Sequence, residues 1–168
     1  MKSKKPAFLI FFLIPLIAFP FDQTLALLLF LFLIEKFFFI FPSFGIEFTT
    51  LPTLYLAIHY NLFFSFLFNL IFVPLVCFVK SYYIEGNREK LPFPESGHVI
   101  DFLVAFLAFS IKPFLSDKIF MLAGIAGCLG FKHLLSFLKT KLTSGGSPNL
   151  YEVAINIGFN LVIFYFLV

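Results

Sequence analysis

Thirty-two consecutive residues, 48–79, contain no Asp, Glu, Lys or Arg. As a single α-helix that run would be ~48 Å long, whereas the hydrocarbon core of a bilayer is ~30 Å thick. One straight span is too short to use it all, and two full spans are slightly too long for it. The polar trio His59, Tyr60, Asn61 divides it into 48–60 and 62–79. Pro52 in the shorter piece predicts a tilted, broken or partly re-entrant helix. The rest of the chain is of the same kind: 61% of its 168 residues are hydrophobic, 12% are charged and 30 are Phe. Soluble domains are ~45–50% apolar and ~25% charged. A water-soluble globule of this size cannot hide so much apolar surface, and a disordered chain is poor in aromatics. The class that remains is an all-α, polytopic integral membrane helix bundle of six to seven transmembrane helices. It is expected as one multi-pass domain in the cell membrane, with lipids around it.

The apolar segments fall at about 7–21, 23–41, 48–60, 62–79, 98–112, 118–138 and 149–168, with a polar loop at 80–97. The basic tip before 7–21 resembles the start of a signal peptide. No small-x-small site follows, so the segment is read as a retained helix bent at Pro15. Asp22 is placed to cap the second helix, Ser116 and Asp117 the sixth, and Ser147 with Pro148 the seventh. Glu35 and Lys36 interrupt the second segment. Neighbours on a helix point ~100° apart, so the pair is expected near an interface or matched with partners on other helices. Cys77 and Cys128 lie in apolar runs without metal-binding spacing and read as small packing residues.

Charge distribution orients the bundle. With seven crossings, the amino-terminal side receives Lys2, Lys4, Lys5, Lys80, Arg88, Lys90, Lys139 and Lys141, and the other side receives Lys112 and Lys118. Eight against two predicts a cytoplasmic amino terminus and an external carboxyl terminus. Counting 48–79 as one crossing gives five and five, so seven crossings are the better-supported number.

Polar groups inside a membrane are costly, and each is a candidate functional residue. Glu152, Asn156 and Asn160 recur every four residues on the last helix, as a solute-lining stripe or as interhelical hydrogen-bonding groups. His98 and Asp101 open the fifth helix, either as a titrating pair or as an interfacial cap and its neighbour. Glu47, His59, Asn61 and Asn69 belong to the central stretch, and Glu47 adjoins the Pro52 helix. Broken helices near the midplane are where transporters often bind ligands. Glu47, His59, Asp101, Glu152, Asn156 and Asn160 are therefore the candidate ligand-binding residues. A solute site would need them to converge on a cavity of ~300 Å³ or more. Lys132 is read as snorkelling to a nearby interface, beside His133 and Ser136. Ala123/Gly127 and Ala126/Gly130 are small-xxx-small pairs that let a second helix approach closely.

Enzyme signatures are absent: there is no P-loop, HExxH or GxSxG, and no metal or cofactor motif. Residues 94–98, Pro-Glu-Ser-Gly-His, faintly resemble the Ser-Gly-His core of membrane phosphatidic-acid phosphatases. That chemistry also needs an arginine clamp, and Arg88 is the chain's one arginine and is followed by Glu89. A non-enzyme is expected. No basic stripe with exposed aromatics suggests nucleic-acid binding.

Residues 46–54, Ile-Glu-Phe-Thr-Thr-Leu-Pro-Thr-Leu, are followed by an apolar run and a polar turn at Asn61. This stretch resembles the second helix of the substrate-binding (S) components of energy-coupling-factor (ECF) transporters. Residues 97–109, with Asp101-Phe102-Leu103, look like the start of that family's fourth helix. The size and helical layout are also similar to the rod-shape protein MreD, and the His/Asp helix and final acidic/Asn helix to VanZ-type membrane proteins. The ECF resemblance covers roughly a third of the chain. It implies a six-helix bundle that binds a vitamin-like solute near its outer face, with a transmembrane coupling subunit and paired ATPases as partners. The MreD or VanZ likeness implies a non-catalytic scaffold or assembly protein.

Overall fold

The structure, a computed structural model, describes residues 7–38, 47–87, 91–144 and 149–167. These residues form helices, with no strand among them. In chain order they are α1 (7–18), α2 (Gln23–Phe38), α3 (50–60), α4 (Leu62–Glu85), α5 (Ser96–Phe114), α6 (117–144) and α7 (Leu150–Leu167). Three of them, α4, α5 and α7, are long and apolar enough to cross a membrane.

The local chemistry explains the boundaries. Asp22 accepts the Leu25 N–H at 2.9 Å and so caps α2. Asn61 is fully extended (φ −170°, ψ 172°) and its side chain accepts the Phe64 N–H at 3.1 Å. The polar trio thus ends α3, and Asn61 caps α4. Pro52 breaks nothing. It sits in the first turn of α3, where its missing N–H is one that has no intrahelical partner. Pro15 likewise lies in the first turn of the α-helical part of α1, after a 3₁₀ stretch, Ala7–Phe12. In α4 a wide π-type turn, Phe68–Phe72, ends two residues before Pro74, whose ring cannot complete a regular α-turn. α4 runs on to Glu85, well past Val79, and α5 tightens to a 3₁₀ turn at Lys112–Phe114 around Pro113. Ser116 makes no side-chain cap. Ser147 and Pro148 lie outside the described residues, and the α7 cap falls on Asn149, whose side chain accepts the Tyr151 N–H at 3.1 Å.

α3 is the axis of the molecule. Every residue from Thr50 to Ile58 is buried, as expected of a helix surrounded by others. It packs against α2, α4 and α5, while α6 packs on α5 and α7 on α6. Leu28, Phe48, Leu51, Leu54, Val104, Ile125, Cys128 and Phe164 form the main core. Leu29, Phe32, Leu33, Phe37, Phe68, Val73 and Val76 form a second core on the other side of α2, which α1 covers with Phe8, Phe11 and Phe12. Outside, large apolar side chains stand exposed along the helices, among them Leu16, Ile17, Phe63, Ile71, Phe106, Phe109, Val162 and Phe166. Exposed apolar surface on this scale marks contact with a membrane or with another protein.

One end of the molecule is tied by polar bonds. The Tyr55 and Tyr60 hydroxyls both donate to Asp22 Oδ2, at 2.8 and 2.7 Å. Lys112 donates to the Ile58 carbonyl, and Thr24 to the Leu167 carbonyl. Burial raises the pKa of Asp22, but the Leu25 N–H and the two tyrosine hydroxyls together outweigh it and hold the carboxyl below its ordinary 3.8. A lowered carboxyl stabilises the fold above its unfolded value, and that gain is lost as pH falls through the folded value. Asp22→Asn should therefore lower the melting temperature at neutral pH. The gap to wild type should close as pH drops below 3.8 in a detergent-based thermal melt, and a gap that persists there would refute this role.

Candidate functional site

Opposite the Asp22 end, polar side chains from four elements meet inside the bundle. Lys132 of α6 is only 4% exposed. Its ammonium lies 2.8 Å from Glu47 Oε2, just before α3, and 2.9 Å from Asp101 Oδ1 of α5. It also donates to the Thr50 hydroxyl, which donates in turn to Asp101 Oδ1 at 2.8 Å. Asp101 is 2% exposed, whereas the Glu47 side chain is 41% exposed and forms the open edge of the cluster.

α7 adds the amide layer. Asn160 Nδ2 donates to the Glu47 carbonyl at 3.1 Å and to Asn156 Oδ1 at 3.0 Å. His133 Nε2 stands 3.2 Å from the same Asn156 oxygen. Asn160 is fully buried, and its Oδ1 has no hydrogen-bond partner. On the other flank, Glu35 Oε2 accepts the Phe48 N–H at 2.6 Å and fixes the entry to α3. Glu35 Oε1 pairs with Lys36 at 2.7 Å. Adjacent residues do face each other here, against the sequence expectation, because the long Lys36 chain folds back over the Phe32 ring.

Four of the six candidate ligand-binding residues, Glu47, Asp101, Asn156 and Asn160, are thus brought together. Two are not. Glu152 lies exposed in the first turn of α7, where its carboxylate accepts from Asn149 Nδ2 at 3.0 Å and suits the helix dipole. The buried stripe of α7 is instead Asn156, Asn160 and Phe164. His59 belongs to the opposite end, exposed and stacked on Tyr55 at 4.5 Å between ring centroids. His98 caps α5, its Nδ1 accepting the Glu95 N–H at 3.0 Å.

Sequence reasoning missed Thr50 and misplaced Lys132, which does not snorkel. The signal was present: Ile125, Cys128, Leu129 and Lys132 follow helical spacing, and the first three are fully buried. That face of α6 points inward and takes Lys132 with it. The opposite face carries the small residues. Ala123 and Gly127 are exposed, Ala126 and Gly130 half-buried, and a Cβ at Gly127 or Gly130 would meet nothing within 4 Å. Gly124 is the packed one, against Phe120 and Leu115.

The groups converge on the Lys132 ammonium. Two grooves, of about 300 and 370 Å³, lie elsewhere, against α1 and α2. They are lined by apolar residues such as Phe12, Pro15, Phe30 and Ile34, and touch none of the candidate residues. Among the described residues no group of His, Cys, Asp and Glu is arranged to hold a metal ion. Cys128 packs in the main core, as a small apolar side chain would.

Fold and site together define an all-helical protein with helices able to cross a membrane and a charged cluster buried between them. Comparison with protein-family models, with curated proteins and with solved structures finds no match.

Proposed function

We propose that this chain is a multi-pass protein of the cell membrane that crosses seven times and serves as a non-catalytic, small-solute-binding subunit of a transporter, similar to an ECF S component. The observation that carries this reading is the meeting of Glu47, Asp101, Asn156 and Asn160 around Lys132 inside the bundle. Intramembrane charge is retained at a cost, and ligand or ion pathways are its usual reason. Seven crossings are supported by the alternation of the helices: Asp22, Tyr55, Tyr60, Lys112 and Leu167 meet at one end, and the polar cluster lies toward the other. A coupling subunit and paired ATPases are the partners this reading requires.

The test is purification in detergent, then mass spectrometry of whatever small molecules and proteins accompany the chain. A solute retained by wild type and lost in Asn156→Ala is the expected result. Wild type that carries no solute, and that no panel of small polar solutes stabilises, would remove the reading. Orientation is checked separately with an impermeant maleimide on intact cells. From the charge count, Asn87→Cys should be protected and Pro113→Cys labelled. The reverse pattern would put the cluster at the outer face, where the ECF resemblance implies a solute.

A second reading, a scaffold or assembly protein of MreD or VanZ type, is favoured by one observation: the open face around Gly127 and Gly130. It expects a co-purifying membrane protein that Gly127→Leu displaces without loss of stability. Unchanged co-purification would count against it.

A further inference from the structure

We propose that the Glu47–Asp101–Lys132 cluster takes up one monovalent cation, a proton or a sodium ion, between its two carboxylates. This deepens the transporter reading by supplying a coupling ion, and it rests on that reading for the membrane setting.

The argument is a charge count. Among the described residues, the carboxylates that enter the cluster or adjoin it are Glu35 on α2, Glu47 before α3 and Asp101 on α5, while Glu95 at the start of α5 is exposed. The ammoniums are Lys36 on α2 and Lys132 on α6. α3 contributes only the Thr50 hydroxyl here and α7 only amides. Lys80 and Glu85 on α4 are 3.5 Å apart and neutralise each other. Residues 39–46, between α2 and Glu47, include no ionisable side chain. Among the described residues inside the bundle, three negative charges therefore meet two positive ones. Glu35 is bonded to Lys36, and among the described residues Lys132 is the ammonium bonded to two carboxylates, so the surplus falls on the Glu47–Asp101–Lys132 group.

An unmatched charge in a low-dielectric interior draws in a counter-charge or is discharged by a proton. The imidazoles are differently engaged. His98 Nδ1 accepts a backbone N–H, and His133 Nε2 faces an amide oxygen. A second, independent feature points the same way. Asn160, wholly buried and bonded to the Glu47 carbonyl, carries an acceptor oxygen that no donor meets. That oxygen can accept from a donor or coordinate a cation.

The experiment uses the full chain in detergent or lipid nanodiscs. Melting temperature is followed against NaCl at constant ionic strength set with choline chloride, and the carboxylic-acid carbonyl band is recorded by infrared difference spectroscopy at neutral pH. A sodium site gives a rise of about 4 °C per tenfold NaCl above the dissociation constant. That rise disappears in Asp101→Asn. A proton site gives no sodium response but a protonated-carboxyl band that is lost in Asp101→Asn or Glu47→Gln. Glu47→Gln guards against misfolding of the first variant, because Glu47 is partly exposed. Neither response, or a proton found on His133 by nitrogen NMR, overturns the proposal. The readouts separate it from the transporter reading. A cation response without any retained solute leaves the cation site standing and removes the transporter role, and a retained solute without a cation response does the reverse.

Discussion

Lys132→Met is expected to destabilise the protein by about 3–5 kcal/mol, the cost of removing one partner of a buried ion pair. The residue is 4% exposed and its ammonium is the point on which α3, α5 and α6 converge. Methionine matches its length, so little packing volume is lost and the penalty is chiefly electrostatic. Asp101 is left with one hydroxyl for its carboxylate, and Glu47 turns outward through its exposed edge. Two comparisons isolate the cause. Lys132→Arg keeps the charge and should cost less. The pair Lys132→Met with Asp101→Asn should recover part of the loss, because both buried charges are then gone. Equilibrium unfolding in mixed micelles measures all four proteins. A Lys132→Met loss below ~1 kcal/mol, or no recovery in the double variant, would mean that the ion pair does not hold the helices together.

Much of this architecture was legible in the sequence, and the reasons are physical. An uncharged apolar run such as 48–79 satisfies its backbone internally as helix, and the part from Leu62 on belongs to a helix long and apolar enough to cross a membrane. The division at Asn61 was readable because a capping side chain inside an apolar run has few other uses. Proline misleads: Pro52 predicts a tilted, broken or partly re-entrant helix, yet in a first turn the ring costs no hydrogen bond, and where α3 begins depends on Glu35 holding the Phe48 N–H from another helix. Periodicity gave the Asn156/Asn160 stripe correctly and carried it one turn too far, to Glu152, because spacing does not tell where a partner helix ends. Lys132 was misread by residue type: lysine in a span usually snorkels, but its neighbours at Ile125, Cys128 and Leu129 decided its direction. His59 could have been sorted from the others: it stands at the turn that divides 48–60 from 62–79, and alternating crossings put that turn opposite the Glu47 end.

The amide layer gives the second large effect, and its sign tests the charge of the site. Asn160→Leu should cost about 1–3 kcal/mol, because the Glu47 carbonyl and Asn156 lose the buried donor they share. Interhelical hydrogen bonds in membranes average less, ~0.6 kcal/mol, but this amide serves three acceptors from inside a closed interior. Asn160→Asp is the sharper variant. It is nearly isosteric, so packing is spared, yet it replaces a donor by a carboxylate that faces the Glu47 carbonyl oxygen and the Asn156 Oδ1. In a cluster already one negative charge in surplus, that substitution should cost more than Asn160→Leu at neutral pH. Below the ordinary carboxylate range the new group is protonated and donates again, so the order of the two variants should reverse. Unfolding of both proteins at neutral and acid pH measures this. Asn160→Asp no worse than Asn160→Leu at neutral pH would mean that the interior at α7 tolerates added negative charge, and the charge count at Lys132 would have to be redrawn.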